Sequence, residues 1–319
     1  MGNNTGKKRA DVWREQYQRR RYLQYVNEEE LGQRLRDIIN NSIILTEKGQ
    51  CASRLHSEGG GYWMMKLTHI HEEYLLRECD VPDDVLKDIN LPKFTYPEAP
   101  KSALKVKGKD LVPGEYLIKY GKVEHLKKIV EEGIIRIAPA SSYNDPSLNY
   151  AIRDDELTLR TYGLPQEVKM AVKDNKTGEE KGPLVPTSNI TYSSECKTDY
   201  YIFCLSMIYD YRLFDDFDKA EGCIIINKPG DFLHRIKCTA PQVLSEWKMF
   251  NMAVTYLDPF NSQEEEHIPF PFFTKNFKYA YQFEYRLVWL PLYSTFKEKI
   301  DHLFLNIGSI KDISELIIL

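Results

Sequence analysis

Three strand-like segments of this sequence carry polar side chains at their ends that could act on a substrate. Lys119 and Tyr120 end one apolar run, Ser206 ends a second, and Glu284 begins a third. Side chains that rigid strands bring together can form a site. A carboxylate beside a basic and aromatic pair suits a substrate with a ribose and a positively charged leaving group, because it can bind ribose hydroxyls and stabilise an oxocarbenium-like centre. We therefore expect these strand ends to surround one cavity.

A purely structural interpretation of Glu284 is also open. Arg286 lies two residues further along the same segment and Lys275 lies nine residues before it. Opposite charges at such positions often pair on the surface of a sheet. The sequence does not decide between this ion pair and a substrate-binding carboxylate.

Other common kinds of catalytic centre are disfavoured. Cys204 lies in an apolar run without a neighbouring histidine, which argues against a cysteine nucleophile. His69 and His71 are two residues apart on a predicted helix and so point to different faces. The six cysteines contain no CxxC pair, so we predict no metal site.

The elements that must position the polar residues are clearest between residues 115 and 156. A short strand, residues 116–120, precedes a helix with apolar Leu126, Ile129 and Val130, and Gly133 ends that helix. A second strand, residues 134–138, leads to an Asn-Asp-Pro turn at 144–146. This order of elements predicts a ligand site where the first strand ends.

The whole chain is predicted to be α+β, because strands are numerous and repeated strand–helix units are few. We expect a disordered tail at 1–10, a helical N-terminal region at 11–100 and a main domain at 101–319, with a Pro- and Lys-rich linker at 90–114 marking the boundary. Residues 163–190 form a hairpin or a loose excursion, and an insertion of this size often contacts a substrate or partner.

Composition is that of an ordinary globular protein. The chain has 319 residues, a formal net charge of -4 and a hydrophobic fraction of 42%. Free cysteines without a secretory leader favour a reducing, cytoplasmic setting, and no apolar run reaches the length of a membrane span.

Residues 11–41 combine arginines with aromatic residues in a polar helical pattern. Guanidinium groups beside rings suit phosphates and stacked bases, which would make this helix a surface for RNA or single-stranded DNA. The alternative, which we favour, is a solvated helix face whose aromatic side chains pack on the body of the protein.

A family resemblance connects the three polar strand ends. KYGKVEHLKKIVEEGIIRIAPASSYNDPSLN, FCLS followed by EGCIII, and YAYQFEYRLVWL occur in that order within residues 115–292. These blocks resemble the DUF2971 family, and the arrangement looks like the ADP-ribosyltransferase fold, in which a split, mixed or antiparallel sheet binds NAD in a cleft. The chain lacks the His-Gly-Thr and Arg-Ser-Glu sets of the best-known members of that superfamily.

The resemblance implies specific roles for residues of this chain. By position, Lys119 and Tyr120 take the first-strand place, Ser206 the second-strand place and Glu284 the catalytic place. Tyr120 and Tyr143 would stack on or cover nicotinamide, and Lys119 or Arg153 would contact phosphate. Asn144 is grouped with the NAD-binding residues, although a capped turn is the other interpretation of it.

The function implied is a mono-ADP-ribosyltransferase-like toxin or defence enzyme that uses NAD as substrate. Its acceptor would be a macromolecule, with RNA or single-stranded nucleic acid slightly favoured over protein, and an antitoxin or other inhibitory partner would accompany it. Two alternatives are an NAD glycohydrolase and a non-catalytic module that binds nucleic acid or protein through a degenerate pocket.

Overall fold

A computed structural model describes residues 8–45, 51–54, 60–83, 85, 111–112, 114–262, 270–293 and 300–319 of the chain. It confirms a mixed α+β fold with several antiparallel sheets. The described helices are α1 (Arg9–Arg19), α2 (Glu28–Asn41), α3 (Gly60–Leu76), α4 (Val123–Glu132), α5 (Arg212–Asp216) and α6 (Pro229–Thr239). None of these helices has the length and apolar character that a membrane crossing requires.

Strands supply most of the main domain. They are β1 (Ile43–Leu45), β2 (Cys51–Ser53), β3 (Leu117–Gly121), β4 (Ile134–Pro139), β5 (Thr158–Gly163), β6 (Met170–Lys173), β7 (Glu180–Leu184), β8 (Ile190–Glu195), β9 (Tyr201–Ser206), β10 (Gly222–Ile226), β11 (Trp247–Ala253), β12 (Thr255–Leu257), β13 (Thr274–Asn276), β14 (Glu284–Pro291), β15 (Leu303–Asn306) and β16 (Ser314–Ile318). Short 3-10 helices at Ala140–Asn144 and Phe277–Gln282 border the site described below.

The largest sheet is antiparallel, and it divides at β9. One path runs β11-β14-β9-β3-β10-β16, and a branch joins β9 to β4 and β15. Only Ile118 of β3 pairs with β9, at Ser206, whereas β4 pairs with the other end of β9 at Tyr201 and Ile202. β3 and β4 therefore diverge from one edge of β9, and the sheet is split there.

Helix α4 connects the two diverging strands and packs into the main hydrophobic core. Its buried residues are Leu126, Ile129 and Val130, as predicted, and they lie in one cluster with Ile135 of β4 and Ile224 of β10. The helix ends at Gly133, which adopts the left-handed conformation with φ 73°. The predicted strand–helix–strand–turn order is therefore confirmed.

The helical pattern predicted over residues 11–41 is interrupted, and the helical structure begins earlier than predicted. Arg9 and Ala10, assigned to the tail, already belong to α1, and α1 ends at Arg19. α2 begins after Asn27, whose side-chain oxygen accepts a hydrogen bond from the amide of Glu30. This N-cap satisfies a free amide of the first turn and explains the restart. Residues 1–7 of the tail and most of the linker at 90–114 lie outside the described ranges.

The excursion at 163–190 consists of antiparallel ribbons. β5 pairs with β8, and β6 pairs with β7. The side chains of β6 are all exposed. The prediction of a hairpin is therefore confirmed, and this part of the chain contributes little to the core.

Candidate functional site

A cavity of about 230 Å³ lies where β3, β9 and β14 meet, at the split of the sheet. Five of the seven predicted site residues line it: Lys119, Tyr120, Tyr143, Ser206 and Glu284. The other two, Asn144 and Arg153, line a neighbouring cleft of about 630 Å³. Strand ends far apart in sequence thus meet at one cavity, and the two predicted turn and loop residues lie beside it.

The register of the strands places Ser206 and Glu284 on the same face of the sheet. Ser206 pairs directly with Ile118 on one side and with Glu284 on the other. Residues paired directly across antiparallel strands share a face, and successive residues alternate between faces. Lys119 is the neighbour of Ile118 and therefore starts from the opposite face to Ser206 and Glu284, although its side chain lines the same cavity, as expected.

The ammonium group of Lys119 is directed into the gap between β3 and β9. Its Nζ donates to the carbonyl oxygen of Cys204 at 2.9 Å and lies 4.8 Å from the ring centroid of Phe203. Burial lowers the pKa of Lys119 from its ordinary value. The side chain lines the cavity with its ammonium group bonded to the main chain, so the predicted contact with phosphate would compete with this bond.

The hydroxyl groups of Tyr120 and Ser206 are engaged with the main chain. Tyr120 donates to the carbonyl of Ile208 at 3.2 Å and accepts from the amide of Asp210 at 3.0 Å. Ser206 donates to the carbonyl of Gln282 at 2.8 Å, which ties the end of β9 to the turn before β14. These two residues shape the cavity wall, and neither offers a free hydroxyl to a substrate.

Glu284 belongs to a buried group of four charges that also contains Glu156, Lys275 and Arg286. Arg286 donates from Nε to Glu284 at 2.6 Å and from both terminal nitrogens to Glu156 at 2.7 Å. The Nζ of Lys275 lies 3.1 Å from Glu284 and 3.7 Å from Glu156. The alternative interpretation was thus right about both partners of Glu284, but the ion pairs are buried beside the cavity and do not lie on a sheet surface.

The two cations control the ionisation of Glu284. Burial by itself raises the pKa of Glu284, but Arg286 and Lys275 together outweigh burial and hold the pKa below its ordinary value. The thiol of Cys204 lines the same cavity, and burial raises the pKa of that thiol. Glu284 is therefore an ionised hydrogen-bond acceptor, and Cys204 is a neutral thiol.

The hydroxyl of Tyr143 forms no hydrogen bond with another described residue. Tyr143 lies on the 3-10 helix Ala140–Asn144 and is half-buried. Among the hydrogen bonds of the described residues, none involves its hydroxyl oxygen. Burial, together with the negative charge of Glu284 and Glu156, holds the pKa of Tyr143 well above its ordinary value. The phenol is thus a neutral donor that faces the same cavity as Glu284.

Sequence reasoning missed Gln282, whose side chain also lines the cavity. Its amide nitrogen donates to the carbonyl of Ala151 at 2.7 Å. The intervening residue, Phe283, has φ 45° and ψ 54°, a left-handed conformation that is costly for an aromatic residue. Strand periodicity signals Arg286, which lies two residues after Glu284 on β14, but it does not extend to Gln282, which ends the 3-10 helix before the strand.

The arginines that suggested a nucleic-acid surface at residues 11–41 are largely paired within the fold. Arg21 donates to Glu73 at 2.7 Å, and Arg34 forms a buried pair with Asp258 at 2.5 Å. Arg20 pairs with Glu167 at 2.7 Å. The aromatic residues Tyr17 and Tyr22 are buried against α3 and the main domain. The interpretation favoured from sequence, a solvated helix face with its aromatics packed on the body, holds for Tyr17 and Tyr22, whereas Tyr25 is exposed and Arg34 is buried.

No set of three His, Cys, Asp or Glu side chains within the described ranges is arranged to hold a metal ion. The chain matched no protein-family model, no curated protein and no solved structure in the comparisons made. Inference about function therefore depends on the geometry of the site and on the sequence resemblance.

Proposed function

We propose that the protein is a mono-ADP-ribosyltransferase-like enzyme that uses NAD as substrate. The observation that carries the proposal is the meeting of Ser206, Tyr143 and an ionised Glu284 at one cavity. The split of the sheet between β3 and β4 supports an ADP-ribosyltransferase type of core.

In the proposed reaction, the bond between C1′ of the ribose and the pyridine nitrogen breaks, and neutral nicotinamide leaves with the bonding electron pair. An acceptor nucleophile then bonds to C1′, and the proton that it loses passes to solvent water. Glu284 accepts a hydrogen bond from a ribose hydroxyl and stabilises the positive charge that develops on the ribose. A carboxylate has about four acceptor positions, so the bonds from Arg286 and Lys275 leave room for this contact.

The other cavity residues have supporting roles. Tyr143 covers the pyridine ring and donates from its unpartnered hydroxyl to the ribose or to Glu284. Ser206 holds the end of β9 against the turn at Gln282, so that Glu284 stays aligned with the cavity. Arg286 and Lys275 keep Glu284 ionised.

The test compares Tyr143→Phe with Tyr192→Phe in an assay of label transfer from NAD to a cellular macromolecule pool. Tyr143→Phe removes a hydroxyl with no partner in the described structure, so we expect unchanged stability and at least about a tenfold loss of transfer, the scale of one lost positioned hydrogen bond. Tyr192 is exposed and lies outside both cavities, so Tyr192→Phe is the matched control.

Glu284→Gln completes the test and is expected to abolish transfer. Because it also disturbs a buried group of charges, its unfolding transition must be measured beside its activity. A folded Glu284→Gln variant with full transfer activity would show that the role given to Glu284 is wrong.

One observation favours a second candidate, a non-catalytic module. The acids and cations around Glu284 balance, so the negative potential available to an oxocarbenium-like centre is reduced. Incubation with NAD distinguishes the candidates, because a binding module releases no nicotinamide. Nicotinamide released without any macromolecule would instead identify an NAD glycohydrolase.

The biological setting that we propose is that of a cytoplasmic toxin or defence enzyme with an inhibitory partner. A nucleic-acid acceptor stays our first choice, but the paired arginines of residues 11–41 make that helical region a poor place to bind it. The neighbouring cleft is a better place.

A further inference from the structure

The cleft of about 630 Å³ adjoins the smaller cavity, and the two share lining residues. Glu156 and Lys275 line both. Pockets that hold a whole small ligand usually measure about 300–1,000 Å³, so the smaller cavity can take only part of a dinucleotide. A ligand that reacts beside Glu284 must therefore extend outward, and the cleft is its adjoining space.

Two arginines that line the cleft have unpaired side chains. Arg153 and Arg160 are exposed, and within the described parts of the chain their side chains form no hydrogen bond or ion pair. Most arginines of the N-terminal helices form ion pairs, so these two differ from them. Guanidinium groups bind phosphate through bidentate hydrogen bonds, so a phosphate is the ligand that suits these side chains.

An aromatic stack lines the same cleft. The rings of Tyr162 and Phe260 are parallel within 13°, with centroids 4.4 Å apart. The guanidinium of Arg34 lies 5.7 Å from the centroid of Phe260. Both rings are half-buried. A nucleobase can add to such a stack with little dependence on its identity.

The third feature of the cleft is a carboxylate that accepts no hydrogen bond from the described residues. Asp155 lines the cleft, and its side chain accepts no hydrogen bond from another described residue. A carboxylate in a nucleotide site commonly accepts ribose hydroxyls. The lining also includes Glu30, Asp37 and Asp154, so the cleft is not positive overall and selectivity must come from the placement of its groups.

We propose that this cleft is a nucleotide subsite, with the base against Tyr162, a ribose hydroxyl on Asp155 and a phosphate on Arg153 and Arg160. The inference rests on the proposed function, since it places the nucleotide beside the reacting cavity. The nucleotide comes either from the adenylate half of NAD or from a nucleic-acid acceptor, and both present the same chemistry.

Binding of AMP to the intact chain, measured by calorimetry, tests the subsite without any need for catalysis. The double variant Arg153→Gln/Arg160→Gln should weaken AMP binding at least tenfold with an unchanged unfolding transition, because both side chains are exposed. Lys127→Gln/Lys128→Gln on the exposed face of α4 removes the same charge elsewhere and should leave AMP binding unchanged.

Two further ligands distinguish the sources of the nucleotide. If ADP-ribose binds more tightly than AMP and a short single-stranded RNA does not displace it, the cleft binds the adenylate half of NAD. If AMP displaces the RNA and ADP-ribose binds no more tightly than AMP, the cleft binds the nucleic-acid acceptor. The inference is overturned if AMP does not bind at millimolar concentration, or if the double arginine variant binds it as well as the original protein.

Failure of the two proposals can be separated. AMP binding that depends on Arg153 and Arg160, with no release of nicotinamide from NAD, supports the subsite and contradicts the transferase. Nicotinamide release without AMP binding contradicts the subsite alone.

Discussion

At the scale of residues, the main feature is that Glu284 is both buried and charged. Glu284 is only 5% exposed to solvent, yet Arg286 and Lys275 keep its carboxylate ionised. Such charges are tolerated only when they are paired. The same contacts that keep Glu284 ionised also make it part of the stability of the domain.

Arg286→Met should therefore destabilise the protein by about 3–5 kcal/mol, because among the described residues it leaves Lys275 as the only cation paired with the buried Glu156 and Glu284. The free energy of unfolding in urea measures the effect. Arg235→Met is the control, since Arg235 pairs with the largely exposed Asp312 and should matter by less than about 1 kcal/mol. A loss below about 1 kcal/mol for Arg286→Met would contradict the importance of the buried cluster.

At the scale of elements, the split of the sheet depends on how α4 ends. Gly133 has φ 73°, and the amide of Ile307 donates to its carbonyl at 3.0 Å. A Cβ atom at this position would lie 2.0 Å from the carbonyl oxygen of Gly308. The tight turn fixes where β4 begins, and so where it diverges from β3.

Gly133→Ala should lower the free energy of unfolding by at least about 1 kcal/mol more than Gly308→Ala. Gly308 has φ 74°, so both substitutions carry the left-handed penalty of about 1–2 kcal/mol. Only Gly133 adds a clash with backbone, since no atom lies within 4 Å of a Cβ at Gly308. Equal losses, measured by chemical denaturation, would show that the close approach at Gly133 relaxes without cost.

At the scale of the whole molecule, the N-terminal helices are docked on the main domain through buried polar contacts. Arg34 and Lys66 both pair with Asp258, at 2.5 and 2.8 Å. His69 lies in the same region, is almost fully buried and contacts the hydroxyl of Tyr22 at 3.2 Å. Burial, with the positive charges of Lys66 and Arg34, lowers the pKa of His69 to about 4. This docking should therefore weaken in acid.

Because His69 is neutral in the folded protein and protonates near pH 6.5 when unfolded, its contribution is complete above that pH and is lost as the pH falls toward 4. We expect the protein to lose about 2 kcal/mol of stability from this residue between pH 7 and pH 5. His69→Gln should reduce the pH dependence by that amount, whereas the exposed His71→Gln should leave it unchanged. Indistinguishable pH profiles for His69→Gln and the original protein would rule out this contribution.

Local sequence signals were sufficient for most elements of the main domain. The apolar pattern of Leu126, Ile129 and Val130 with Gly133 predicted α4, and the strands at 116–120 and 134–138 were predicted to within one residue of β3 and β4. The break between α1 and α2 was missed, because the capping role of Asn27 was overlooked within a continuous polar helical pattern. The paired state of most arginines in that region was not predictable in detail, since their partners Glu73, Glu167 and Asp258 lie far away in sequence.

The sequence by itself determined which strand ends carry Ser206 and Glu284, because hydrophobic periodicity and turn residues are local properties. Only the tertiary structure decided that Lys119 starts from the other face of the sheet, that Glu284 is enclosed by Arg286, Lys275 and Glu156, and that Arg153 lines a separate cleft. The physical reason is that strand register and the pairing of buried charges join distant segments, and a shift of one residue in register moves every side chain to the opposite face.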